Sequence, residues 1–138
     1  MSRMMFVNLP VADLGKSIEF FSQLGFEFNP QFTDETATCM ILGERNFVML
    51  LTREKYASFT PGLEICDSGK STVVIVCLSA ESRAEVDSLV DKAVAAGGST
   101  YREPEEYGSM YGRAFRDLDG HIWEFMWMDP AALQQAES

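Results

Sequence analysis

The chain has 138 residues, of which 46% are hydrophobic, and its formal net charge is −10. This length suits one compact domain or two fused half-domains with an apolar core. So acidic a surface repels phosphate backbones and anionic lipids, which excludes nucleic acid and membranes as expected partners, whereas a cationic small molecule is attracted. No apolar run reaches the roughly 20 residues of a membrane span, and the N-terminal residues lack a signal-peptide pattern, so a cytoplasmic location is expected.

The cysteines predict neither a disulfide framework nor a zinc site. The three of them, Cys39, Cys66 and Cys77, are odd in number and have no CxxC spacing. Cys39 and Cys77 lie within apolar runs, so both are expected to be buried, inert thiols.

The first half of the chain predicts the element order β-α-β-β-β. A strand over 5–11 precedes a helix for which Asp13 is the expected N-cap. Apolar residues recur along this helix at helical spacing until Gly25 closes it. Three further strands are predicted over 26–32, 36–42 and 47–52.

Residues 53–70 are predicted to be a connector with one helical turn near 54–59, because turn signals interrupt the apolar pattern. The element order then repeats. A strand over 71–78 leads to a helix that begins with a capping box at Ser82 and ends at Gly97. Strands over 99–102, 107–115 and 121–128 complete the second half.

The repeat predicts which residues of the two halves correspond. Phe6 is expected to match Val73, and Leu50 is expected to match Glu124. Each half then forms a curved sheet with a helix on one face and a concave face open to a ligand. His121, the single histidine, is expected to pack at a turn.

Three segments carry a resemblance to a known family. They are Val7-Asn8-Leu9-Pro10-Val11-Ala12-Asp13-Leu14 with the helix that follows, Ala95-Ala96-Gly97-Gly98, and Phe115-Arg116-Asp117-Leu118-Asp119-Gly120-His121-Ile122-Trp123-Glu124-Phe125. Over residues 4–129 the chain resembles the glyoxalase/bleomycin-resistance/dioxygenase, or vicinal oxygen chelate, superfamily, although that family more often has Pro where Leu118 stands. The resemblance implies an α+β fold: one domain over 1–138, with βαβββ modules at 4–52 and 71–129 forming a half-open barrel. It also implies a homodimer.

The resemblance also bears on metal binding. Enzymes of the family usually hold a divalent metal through one residue on each of the first, fourth, fifth and eighth strands, typically His, Glu, His and Glu. The matching positions here are Phe6, Leu50, Val73 and Glu124, of which only Glu124 can be a ligand. No metal and no cofactor are therefore expected.

Glu124 is the candidate catalytic residue, because a carboxylate on an apolar concave face is energetically costly unless it is paired. The structural alternative is an ion pair, most readily with Arg113, or a relic of an ancestral metal site. The functional alternative is ligand recognition or general-base catalysis. Arg113 and Glu124 are expected to face the same cavity. The predicted ligand-binding residues are Phe6, Asn8, Leu50, Val73, Tyr111, Arg113 and Phe115.

The predicted function is metal-free binding of a small organic molecule that is cationic or aromatic. Two forms stay open: sequestration of the bleomycin-resistance type, or a metal-independent glyoxalase-like enzyme that uses Glu124. The alternatives are a metal-dependent lyase or extradiol-type dioxygenase, and a structural or partner-binding domain whose cavity is filled.

Overall fold

The computed structural model describes residues 3–132, which divide after Cys66 into two units. The elements of the first unit are β1 (Met5–Val11), α1 (Leu14–Gln23), β2 (Glu27–Asn29), a 3₁₀ turn (Pro30–Phe32), β3 (Ala37–Ile41), β4 (Asn46–Thr52) and α2 (Arg53–Phe59). Its strands form one four-stranded sheet in the order β1-β4-β3-β2, with β1 parallel to β4 and the other pairs antiparallel.

Local sequence explains where α1 begins and ends. The Asp13 side chain accepts a hydrogen bond of 3.0 Å from the backbone N–H of Lys16, as an N-cap should. Gly25, with φ of +100°, ends the helix in a conformation that other residues adopt at a cost. The aromatic side of the helix buries Phe20 and Phe21, which are each 1% exposed.

The elements of the second unit are β5 (Ile75–Ser79), α3 (Arg83–Ala95), β6 (Ser99–Thr100), β7 (Glu105–Glu106), β8 (Met110–Arg116) and β9 (Ile122–Met128). Its sheet has the order β5-β9-β8-β6, and the short strand β7 also pairs with β8. β5 is parallel to β9, and the remaining pairs are antiparallel.

A buried carboxylate fixes the turn between β8 and β9. Asp117 accepts hydrogen bonds from the backbone N–H groups of Asp119 and His121, at 2.9 and 3.0 Å, and from Nε1 of Trp123 at 2.9 Å. Burial raises the pKa of Asp117, and His121 and these donors oppose that shift. The turn therefore sets the register of β8 on β9, which positions the side chains of the candidate site.

The predicted α+β class and the repeated β-α-β-β-β order are confirmed, with β7 as an addition. His121 is buried at its turn, as expected. No helix in residues 3–132 is long and apolar enough to cross a membrane.

The predicted correspondence between the halves is wrong by one or two positions. Asn8 and Cys77 each lie five residues before the N-cap of the following helix, and they pair with Met49 and Glu124, respectively. Met49, rather than Leu50, is therefore the counterpart of Glu124. Because β4 is apolar on both faces, its sequence does not reveal which face is buried.

Candidate functional site

The two faces of the second sheet have different surroundings. One face packs against α3 and carries Tyr111, Arg113, Phe115, Trp123 and Phe125. The opposite face, which α3 does not cover, is called the open face. It carries Ile75, Cys77, Gly112, Ala114, Ile122, Glu124 and Met126.

A row of side chains crosses the open face at Glu124. In the register of the sheet, Glu124 lies between Cys77 on β5 and Ala114 on β8. Arg102 comes from the segment between β6 and β7, and its Nη2 forms a salt bridge with Oε2 of Glu124. Because Ala114 has only a methyl group, it leaves room for the longer side chain to cross β8.

Arg102 has a second carboxylate partner. Its Nε donates to Oε1 of Glu105 at 3.2 Å. The side chain of Glu124 is 11% exposed, whereas that of Arg102 is 30% exposed. The guanidinium thus compensates a nearly buried charge that would otherwise be costly.

Residues 101–104 do not pair with a strand of the sheet, and they border a cavity. β6 pairs with residues 115–116 of β8 and β7 pairs with 111–112, so the register gives residues 113–114 no partner on either strand. The cavity at this gap has a volume of about 470 Å³, within the size range of small-molecule sites. It is lined by Thr100, Tyr101, Arg102, Glu103, Pro104, Arg113 and Ala114.

The prediction that Arg113 and Glu124 face one cavity is wrong. Ala114, not Arg113, is in register with Glu124, so alternation turns the Arg113 side chain toward α3. There its Nη1 donates to Asp87 at 3.0 Å and to Asp91 at 3.2 Å. Arg113 therefore lines the cavity but does not lie on the sheet face that carries Glu124.

Tyr111 and Phe115 lie on the same α3-facing side. Tyr111 Oη donates to Asp87 at 2.6 Å, and Phe115 is fully buried. Their ligand-binding role was predicted from a face shared with Arg113. That face is shared, but it is the one covered by α3.

Replacing Asp87 by Asn is expected to lower the free energy of unfolding by about 1 kcal/mol at pH 7, because the carboxylate is half exposed and screened. Hydrogen bonding from Tyr111, followed by Arg113, lowers the pKa of Asp87. Its contribution is thus present above the unfolded value of 3.8 and is lost as the pH falls through the lower folded value. Urea unfolding at pH 7 and pH 3 measures this, and an unchanged difference between the proteins at both pH values would contradict it.

Arg83 holds β7 beside the start of α3. Its guanidinium lies 5.1 Å from the ring centre of Tyr111 and 5.3 Å from that of Trp127, and it forms a salt bridge with Glu106. These contacts combine cation–π and ionic attraction. The segment 101–104 is thereby anchored at its β7 end.

The remaining predicted ligand-binding residues differ in their location and burial. Phe6 and Asn8 lie on the face of the first sheet that also carries Met49, and Phe6 stacks on Phe47 with ring centres 4.9 Å apart. Leu50 is fully buried on the other face, so it cannot line an open surface. Val73 is 90% exposed and precedes β5, because that strand begins at Ile75.

The residues at the family's metal positions do not fit a metal. With the register corrected, the residues at those four sequence positions are Phe6, Met49, Ile75 and Glu124, of which only Glu124 offers an oxygen donor, whereas a hard cation needs several oxygen or nitrogen donors. Between residues 3 and 132, no group of three or more His, Cys, Asp or Glu is arranged to hold a metal ion.

The cysteine predictions have mixed outcomes. Cys39 is buried as expected, but Cys77 is exposed on the edge strand β5. Partial desolvation by neighbouring atoms still raises the pKa of the Cys77 thiol, and the charge of Arg102 opposes this only in part. The thiol is therefore not an activated nucleophile.

Arg102 and Glu105 were missed by the sequence prediction. The region around Arg102 was assigned to a short strand, in which an arginine is an ordinary surface residue. The available signal was Pro104, which disfavours a continuous strand and points to a loop between two short strands.

Comparison with known proteins identifies the fold. A family model described as bleomycin resistance protein-like N-terminal matches residues 3–43. A hypothetical protein from S. aureus is 31% identical, with a TM-score of 0.77 over 92% of this chain and 95% of that one.

More distant structures share the fold. A glyoxalase/bleomycin resistance protein/dioxygenase family enzyme from Burkholderia phytofirmans is 18% identical, with a TM-score of 0.73 over 92% of this chain and 99% of that one. A lactoylglutathione lyase from Agrobacterium tumefaciens is 19% identical, with a TM-score of 0.65 over 92% and 94%. No curated protein gives a significant match.

These observations define a βαβββ-repeat protein whose open sheet face carries an ion-paired carboxylate. The chain belongs to the glyoxalase/bleomycin-resistance/dioxygenase, or vicinal oxygen chelate, superfamily.

Proposed function

We propose that the chain binds a small organic molecule at the open face of the second sheet, without a metal and without transforming it. The observation that carries this proposal is the nearly buried Glu124, whose charge is compensated by Arg102 from a segment outside the strand ladder. The adjoining cavity of about 470 Å³ is large enough for such a molecule. The same proposal includes a cytoplasmic location, which cell fractionation tests.

The chemistry of the site favours binding over catalysis. A carboxylate paired with a guanidinium is a weaker base than an unpaired carboxylate in the same surroundings. The Cys77 thiol is not activated, and His121 is buried at the β8–β9 turn. Glu124 therefore has the character of a recognition residue.

The charges near the cavity favour a cationic or aromatic ligand. Arg102 stands between Glu105 and Glu124, so this group of three carries one net negative charge when all are ionised. Ala114 contributes an apolar group to the cavity lining, and the partly exposed Met126 adds apolar surface on the same face. A planar molecule with a positive group suits that combination.

A screen of planar aromatic cations and their neutral analogues by thermal shift and NMR is expected to yield a ligand that binds one per chain. Glu124→Gln is expected to weaken its binding by about tenfold, or 1.4 kcal/mol, because the ligand loses a charged partner. Glu81→Gln, which removes an exposed carboxylate that does not line the cavity, is the matched control. Equal losses in both variants, or turnover of the ligand by the wild type, would contradict the proposal.

The purified protein is expected to contain no stoichiometric iron, zinc, nickel or manganese, because Phe6, Met49 and Ile75, at three of the four positions where the family carries metal ligands, have no oxygen or nitrogen donor in their side chains. Elemental analysis after mild purification measures this. One metal per chain that disappears in Glu124→Gln would favour the metal-dependent lyase or dioxygenase instead.

We also propose that the protein is a homodimer. β1 and β5 each lie at the outer edge of their sheet, and both edges expose apolar side chains. Met5 is 60% exposed and Ile75 is 53% exposed. Unpaired edges of this kind favour association, and a second copy carries the same two edges.

Light scattering is expected to give a mass about twice the 15.4 kDa of the chain. Met5→Glu and Ile75→Glu are expected to shift the protein toward the monomer, since each adds a charge at an exposed apolar edge. Leu63→Glu, at an exposed connector residue outside both sheets, is the control. A monomeric wild type would refute the dimer.

A further inference from the structure

We infer that Arg102 is a displaceable occupant of a cation site formed by Glu105 and Glu124. A ligand bearing a guanidinium, amidinium or ammonium group binds by taking the place of the Arg102 guanidinium. This inference rests on the proposed function, because it concerns the same open face, and it names the chemical class of the ligand.

The ionised form of Glu124 is stabilised by a neighbouring cation. Glu124 is 8% exposed, and a buried carboxylate without a partner is strongly unfavourable. The guanidinium of Arg102 meets both Glu124 and Glu105, so two carboxylates converge on one positive group. The other positions at which the family carries metal ligands have no ligand side chains here. The positive charge beside Glu124 is supplied instead by the Arg102 side chain.

Arg102 is carried by a segment that can move without breaking the sheet. The register pairs Thr100 with Phe115 and Glu105 with Gly112, so the intervening four residues contribute no rung to the ladder. The Arg83–Glu106 salt bridge lies beyond the β7 end of this segment. Movement of Arg102 is therefore confined to residues 101–104, and the cavity beneath them provides space.

The surroundings disfavour an anionic ligand. Arg102 already donates to Glu105 and pairs with Glu124, and Glu103 adds a third carboxylate on the same segment. An anion would have to displace a carboxylate from Arg102 while approaching the others. A cation replaces one positive group by another and leaves Glu124 compensated throughout.

The test uses ethylguanidinium chloride, which resembles the end of the arginine side chain. Arg102→Ala is expected to bind ethylguanidinium saturably in NMR titrations. Its affinity is expected to be at least about tenfold higher than that of the wild type, because in the wild type the Arg102 guanidinium occupies the site. Shifts are expected at the amides of Cys77, Ala114 and Glu124. The double variant Arg102→Ala/Glu124→Gln is expected to lose this binding.

Binding by Arg102→Ala that is no tighter than in the wild type, or that survives Glu124→Gln, would overturn the inference. Arg102→Met, which retains the apolar stem, is titrated in parallel and is read in the same way if the alanine variant does not fold. Because ethylguanidinium is supplied, the result does not depend on finding a ligand for the wild type. An unsuccessful ligand screen would therefore count against the proposed function alone.

Discussion

Gly120→Ala is expected to lower the free energy of unfolding by about 3 kcal/mol. Gly120 has φ of +88°, and the left-handed region costs an L-residue about 1 to 2 kcal/mol. An added Cβ would also lie 2.5 Å from the backbone oxygen of Ser68 and 2.6 Å from Nη2 of Arg116. Because one neighbour is backbone, relief requires a shift of the loop, which adds an overpacking cost of about 1 to 3 kcal/mol.

Gly108→Ala separates the two causes of that loss. Gly108 has a similar φ of +73°, but nothing lies within 4 Å of its added Cβ. It is therefore expected to lose only the conformational part, about 1 to 2 kcal/mol. Both tryptophans, Trp123 and Trp127, are in the second unit, so fluorescence during urea unfolding reports on the unit that is changed. Equal losses in the two variants would show that the close contact with Ser68 is unimportant.

The element order could be predicted because its signals are local. Asp13 and Ser82 are the N-caps in the structure, where each accepts a bond from a backbone N–H three residues later. Glycines with positive φ, Gly25 and Gly97, end α1 and α3, as their positions in the sequence suggested. Such features depend on a few neighbouring residues and are readable without knowledge of the tertiary fold.

The register could not be predicted because it depends on contacts between distant residues. In β4 the run from Phe47 to Leu51 is apolar throughout, so period-two alternation does not mark its buried face. Leu50 was assigned to the open surface for that reason and is in fact fully buried. The same ambiguity does not arise in α1, whose apolar residues recur at helical spacing.

The partner of Glu124 was missed for a related reason. β8 and β9 are joined by a tight turn, which made Arg113 the natural choice because it is near in sequence. The register set by Asp117 instead places Ala114 opposite Glu124 and turns Arg113 toward α3. The actual partner, Arg102, lies in a segment that does not pair with a strand of the sheet. The periodicity of the sequence does not predict which residues such a side chain contacts.

The Arg102–Glu124 pair is expected to show strong coupling in a double-mutant cycle. Arg102→Met leaves a nearly buried carboxylate uncompensated and is expected to cost about 3 kcal/mol, at the lower end for a broken buried pair because the arginine side chain is 30% exposed. Glu124→Gln leaves Arg102 paired with Glu105, so its expected cost is smaller, about 1 to 2 kcal/mol. Urea unfolding followed by tryptophan fluorescence measures each value.

The double variant decides what the pair contributes. Arg102→Met/Glu124→Gln removes both charges, so its loss is expected to be about 2 kcal/mol smaller than the sum of the single losses. Arg83→Met with Glu106→Gln is the matched control, because that salt bridge joins more exposed side chains, at 42% and 51% exposure, and is expected to couple by less than about 1 kcal/mol. Additive losses at Arg102 and Glu124 would mean that the carboxylate is compensated by something other than this arginine. In that case the cation site would have to be sought at another neighbour of Glu124.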